Sequence, residues 1–158
     1  MLRNGLMIAL LLALLAGGGA ALAQDAAPSG APATFGTVTL NGNFVLDPFL
    51  ITVVGGGADP AADLGVNCAG YVPPNPTLTL TLRDGPTEGL RIFAYSDADP
   101  ILVVQLPSGE FVCNDDTGPL VVDSTVEIPS AEAGDYHIWL GAYEQYQLSP
   151  AFLVITHS

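Results

Sequence analysis

Five oxygen-bearing side chains lie in two short runs of this 158-residue chain, Asp97 and Asp99 in the first and Asn114, Asp115 and Asp116 in the second. Between the runs, Pro107-Ser108-Gly109 separates two stretches of strand character, 101–106 and 110–113. A turn there folds one stretch back on the other and brings both acidic runs to the same end of the hairpin. Hard cations such as calcium take six to eight oxygen ligands at one concave point, and these side chains would supply much of that shell. The reading that competes is a solvated acidic loop in a protein that is acidic throughout. No EF-hand is present, because 97–100 (DADP) lacks the third ligand and the glycine. A glycosidase acid/base pair needs two carboxyl groups set across a sugar-sized cleft, which a cluster of aspartates does not suggest.

Other catalytic chemistry has thinner support. His137 lies within a strand pattern and faces outward, since Tyr136, Ile138 and Leu140 make the apolar face; His157 sits beside the C-terminus and reads as frayed. No serine occupies a G-x-S-x-G elbow, and no zinc-like grouping of histidine and cysteine occurs. Gly55-Gly56-Gly57 is followed by neither G-K-S/T nor a helix start, so it reads as a mobile connection and not a phosphate loop. The aromatics Tyr71, Tyr95, Trp139, Tyr143 and Tyr146 are candidates for a stacking platform. Trp139 alternates with core residues and faces the other side of its strand, either toward solvent as a binding surface with Tyr143 or packed under a loop.

Export sets the context for these groups. Residues 1–23 combine Arg3, an apolar run over 6–16, a glycine triplet at 17–19 and an A-x-A site at 21–23, the plan of a cleaved secretory signal peptide. An uncleaved membrane anchor is the alternative. Residues 24–34, rich in Ala, Pro, Ser and Gly, read as a flexible leader, and the domain is expected to span 35–158. The expected location is a bacterial periplasm or the medium. Beyond residue 23 only Arg83 and Arg91 oppose sixteen carboxylates, which argues against nucleic acid or anionic lipid as a partner. In an oxidising compartment Cys68 and Cys113 are most simply a disulfide, and closing that loop stabilises by roughly 4 kcal/mol.

The elements that must position these residues are strands. Residues 77–82 read TLTLTL, with the leucines on one face. Further strand patterns cover 37–40, 49–54, 90–96, 101–106, 110–113, 121–128, 136–141 and 152–156. Thirteen prolines and 18 glycines interrupt any helical period after residue 23. About eight or nine short strands predict an all-β antiparallel sandwich or jelly roll, with a barrel as the alternative.

Several runs, taken in order, resemble the bacterial pre-peptidase C-terminal (PPC) domain family. They are 35–38 (FGTV), 44–48, 68–72 (CAGYV), 96–99 (SDAD), 102–104, 107–109, 113–116 (CNDD), 134–143 (GDYHIWLGAY) and 153–156. The resemblance covers nearly all of 35–156. It implies a β-sandwich or jelly-roll accessory domain without catalysis, usually attached to secreted enzymes, some relatives of which bind calcium or matrix polymers. Pro100 stands where the family favours threonine, and Phe111 where it favours tryptophan. The chain carries no peptidase domain. The function expected from this is a secreted accessory or binding module for a protein or extracellular polymer, with calcium as its one cofactor. A structural or envelope-interaction protein without a small ligand is the alternative, and a small exported hydrolase the remote one.

Overall fold

The computed structural model describes residues 31–85, 88–116 and 123–158. The expected signal peptide, most of the expected leader and the start of the strand expected over 121–128 lie outside them. Eleven strands follow in order: β1 (Thr37–Leu40), β2 (Phe49–Gly56), β3 (Asp59–Pro60), β4 (Tyr71–Val72), β5 (Leu78–Leu82), β6 (Leu90–Ser96), β7 (Pro100–Gln105), β8 (Phe111–Asn114), β9 (Thr125–Ile128), β10 (Gly134–Ala142) and β11 (Leu148–His157). They form a β-sandwich. One sheet runs β1-β5-β10-β7-β8, with the β3-β4 ribbon joining the far end of β10; the other runs β2-β11-β6-β9. The nine expected strands are all present. The two additional ones, β3 and β4, are two-residue strands inside the 57–72 connection, too short to leave a period in the sequence. Pairing is antiparallel except for β1 on β5, which is parallel with Val38 opposite Leu80. Ahead of β1, Thr34 N–H donates to Pro76 O and Phe35 N–H to Thr77 O.

Period-2 alternation explains the core. Leu78, Leu80 and Leu82 of β5, Tyr136, Ile138 and Leu140 of β10, and Leu102 and Val104 of β7 face inward from the first sheet. They meet Val53, Ile92, Ala94, Leu153 and Ile155 from the second. Each fully buried aliphatic contributes about 1.5–3 kcal/mol. The buried Tyr136 hydroxyl keeps its hydrogen bonds, donating to Glu132 O (2.7 Å) and accepting from Glu132 N–H (2.9 Å). Because the chain alternates between sheets, with β5 and β10 in one and β6 and β11 in the other, most contacts in the core join residues distant in sequence.

The two outer faces differ in kind. Outside the first sheet lies a second apolar cluster of Ala61, Cys68, Val72, Ile101, Val103 and Trp139, roofed by the 57–72 segment. A Cys68–Cys113 disulfide ties that roof to β8, with the Cα atoms 5.3 Å apart. Toward β1 the same face becomes a polar strip of Thr37, Thr39, Thr79, Thr81, Asp135 and His137. Thr81 donates to Asp135 Oδ1 (2.6 Å), and the Thr79 hydroxyl bonds His137 Nδ1 (3.1 Å). The outer face of the second sheet is apolar over β2, β11 and the end of β6, and among the described residues no segment covers it as 57–72 covers the first.

Two local expectations are corrected. Gly55 and Gly56 are not a mobile connection but the end of β2. A Cβ on Gly55 would lie 2.4 Å from Leu140 O, and Gly56 turns at φ +99° against Gln147. His157 is not frayed: its Nδ1 lies 3.1 Å from Asp47 Oδ2, its Nε2 2.9 Å from Gly42 O, and its ring packs on Phe44.

Candidate functional site

The β7–β8 hairpin is present with its turn at 106–110, where Gly109 N–H donates to Leu106 O (2.8 Å). Its open end carries both acidic runs, because Leu102 pairs with Asn114. Asp99, Asp115 and Asp116 come within electrostatic range there. Glu144, which the sequence reading did not include, joins them from the end of β10. Its approach follows from the β10–β7 pairing, which places Ala142 opposite Pro100 and lets Tyr143 N–H donate to Asp99 O (3.1 Å). Partial burial, followed by the like charges of Asp116, Asp115 and Glu144, raises the Asp99 carboxyl above its ordinary range.

Asn114 and Asp97 make other contacts. The Asn114 Oδ1 accepts from Thr125 N–H (2.8 Å) and its Nδ2 donates to Asp116 O (3.0 Å), so the side chain braces β8 against β9 of the opposite sheet. Asp97 lines a shallow hollow of about 200 Å³ with Tyr95, Pro150 and Phe152, on the second sheet's side. Among the described residues no group of three or more His, Cys, Asp or Glu is arranged to hold a metal ion.

Trp139 does not form an exposed surface. It is 1% exposed, with Phe111 and His137 beside it at ring-centroid distances of 6.0 and 6.3 Å. It faces the side of β10 that alternation indicates, but the disulfide-tied roof covers that side. Its Nε1 has no hydrogen-bond partner among the described residues. Tyr143, the other expected surface residue, is about half exposed, as is Tyr95; Tyr146 is more fully exposed, while Tyr71 is only partly so. Tyr146 holds a left-handed backbone (φ 65°) in the β10–β11 connection, a conformation rare for a bulky residue.

The largest departure from expectation is the outer face of the β2-β11-β6-β9 sheet. Leu50 and Val54 of β2, Leu148 and Phe152 of β11 and Tyr95 of β6 stand there, each between 44% and 70% exposed. Register makes them one patch. Val54 pairs with Pro150, Phe152 sits between Thr52 and Tyr95, and Val154 between Leu50 and Phe93. Residues 49–54 (FLITVV) and 152–155 (FLVI) are apolar at both parities, a pattern that reads as a strand buried on both faces. The signal was therefore in the sequence, but which face is left open depends on where the roof goes.

Compared with known proteins, the sequence matches no family model and no curated protein.

Proposed function

We propose that this chain is an exported, non-catalytic accessory module of the PPC kind, acting by association through the outer face of the β2-β11-β6-β9 sheet. One observation carries the reading: the contiguous exposed patch of Leu50, Val54, Tyr95, Leu148 and Phe152. Apolar side chains gathered on one face, as distinct from scattered singly, mark interaction surfaces. The polar strip outside the other sheet, where Thr37, Thr39 and Asp135 are exposed, is the contrasting surface in the same molecule. The disulfide accords with an oxidising periplasmic or extracellular location. The double variant Tyr95→Thr/Phe152→Thr keeps β-forming residues at both positions. Its retention on the envelope or secreted matrix of the producing cell should fall at least fivefold with a melting temperature within a few degrees of wild type. Unchanged retention would overturn the reading.

A second reading concerns the acidic end, where the crowding of Asp99 by Asp115, Asp116 and Glu144 favours a calcium-class cation that would relieve it. Calcium at a hundredfold excess over its dissociation constant would stabilise by about 2.7 kcal/mol, several degrees for a domain of this size. A melt in EDTA and in millimolar calcium should show that rise in wild type and not in Asp115→Ala. Equal melts of the wild type would leave the acidic end as solvated surface.

A further inference from the structure

We infer that the occupant of the β2-β11-β6-β9 face is a different protein, whose contact surface is an apolar strip flanked by lysine or arginine. This rests on the reading of that face as a docking surface, and charge selects the occupant. The centre of the patch is uncharged, but its border along β6 and β9 is acidic. Asp97 lines the hollow between Tyr95 and Phe152, and Asp123 Oδ1 receives Ser96 N–H (3.4 Å) just beyond. Glu127 stands on β9 at the other side, ion-paired with Arg91. That arginine, already paired, is the one lysine or arginine on the strands of the second sheet among the described residues.

A second copy of this chain is a poor occupant on two counts. It brings three basic residues against sixteen acidic ones, so the two borders would repel each other. The face is also small. Strands about 4.8 Å apart and about seven residues of 3.3 Å each give roughly 400 Å², half of what each partner in a stable pair normally contributes. A cationic border on the partner removes the repulsion and, by engaging the acidic side of the patch, extends contact beyond the small apolar centre. It adds attraction outside the apolar centre and steers approach to the face. The same charge balance disfavours an anionic membrane or nucleic acid as occupant.

The test uses the oxidised protein and three labelled strand-forming peptides of alternating sequence, Leu–Lys, Leu–Gln and Leu–Glu, followed by fluorescence anisotropy. Sedimentation velocity of the protein alone accompanies it. The Leu–Lys peptide should bind at least tenfold tighter than Leu–Gln, and Leu–Glu should not bind. Tyr95→Thr/Phe152→Thr should weaken Leu–Lys binding at least tenfold, while Val45→Thr, an exposed apolar site elsewhere, leaves it unchanged. The protein alone should sediment as a monomer. Equal affinity for Leu–Lys and Leu–Gln, both lost in the double variant, would overturn the cationic partner and leave the docking face standing. Leu–Lys binding unaffected by the double variant would reflect attraction to acidic surface in general and overturn both. A dimer that the double variant dissociates would assign the face to a second copy and overturn the inference.

Discussion

At Asp99 the sequence reading and the structure meet most closely. The two aspartate runs were legible as neighbours because a P-S-G turn fixes the sense of the hairpin between them. Glu144 was not legible, since its approach depends on β10 lying beside β7, and β-pairing between distant segments leaves no local trace. Nor could the sequence separate Asn114 from its acidic neighbours: an amide at a strand end can be a ligand or a brace, and only the position of Thr125 N–H makes it the brace. Because the Asp99 carboxyl is raised in the fold, the native state holds its proton more tightly than the unfolded chain. Its contribution therefore diminishes stability as pH rises from the ordinary carboxylate range through the raised value, and stays constant above it. Asp99→Asn removes the repulsion at neutral pH. In EDTA the variant should melt about 1–3 °C higher than wild type at pH 7, the scale of a screened surface charge, with the gap closing toward pH 4. A lower melting temperature for the variant at pH 7 would mean that the carboxylate makes a favourable contact instead.

Among the elements, the 57–72 roof decides which aromatic is available to a partner. Alternation along β10 correctly placed Trp139 opposite Ile138 and Leu140, yet no property of β10 reveals what lies over it. The roof is built from two two-residue strands, one short 3-10 turn at Ala61–Asp63 and the disulfide, none of which carries a period long enough to be read. The protein's one tryptophan makes the roof easy to follow. In the oxidised protein Trp139 emission should be blue-shifted and poorly quenched by acrylamide. Reducing the Cys68–Cys113 bond removes the tie between the roof and β8. Quenching should then rise at least twofold while the far-ultraviolet circular dichroism of the sandwich persists. Quenching that stays low after reduction would show that packing of Ala61, Leu64 and Val72 holds the roof without the disulfide.

Over the whole molecule, an all-β sandwich was legible from strand count and turn residues, while its sidedness was not. TLTLTL states its own orientation, leucine to the core and Thr79 and Thr81 to the polar strip. FLITVV and FLVI do not, because apolar residues at both parities fit a doubly buried strand as well as a face open to a partner. The difference is set by the roof, which follows β2 and folds over the β5-β10-β7 side, so that among the described residues the β2-β11-β6-β9 side is left open. Function on this account lies in that asymmetry: one outer face closed by a disulfide-tied cover or polar, the other apolar with an acidic border. The most direct measurement is hydroxyl-radical footprinting of the protein free in solution and in its envelope- or matrix-associated state. Leu50, Tyr95, Leu148 and Phe152 should lose at least half of their labelling on association, while Val45, Leu46 and Val66 label equally in both states. Protection of the latter group with undiminished labelling of Tyr95 and Phe152 would contradict docking through that face.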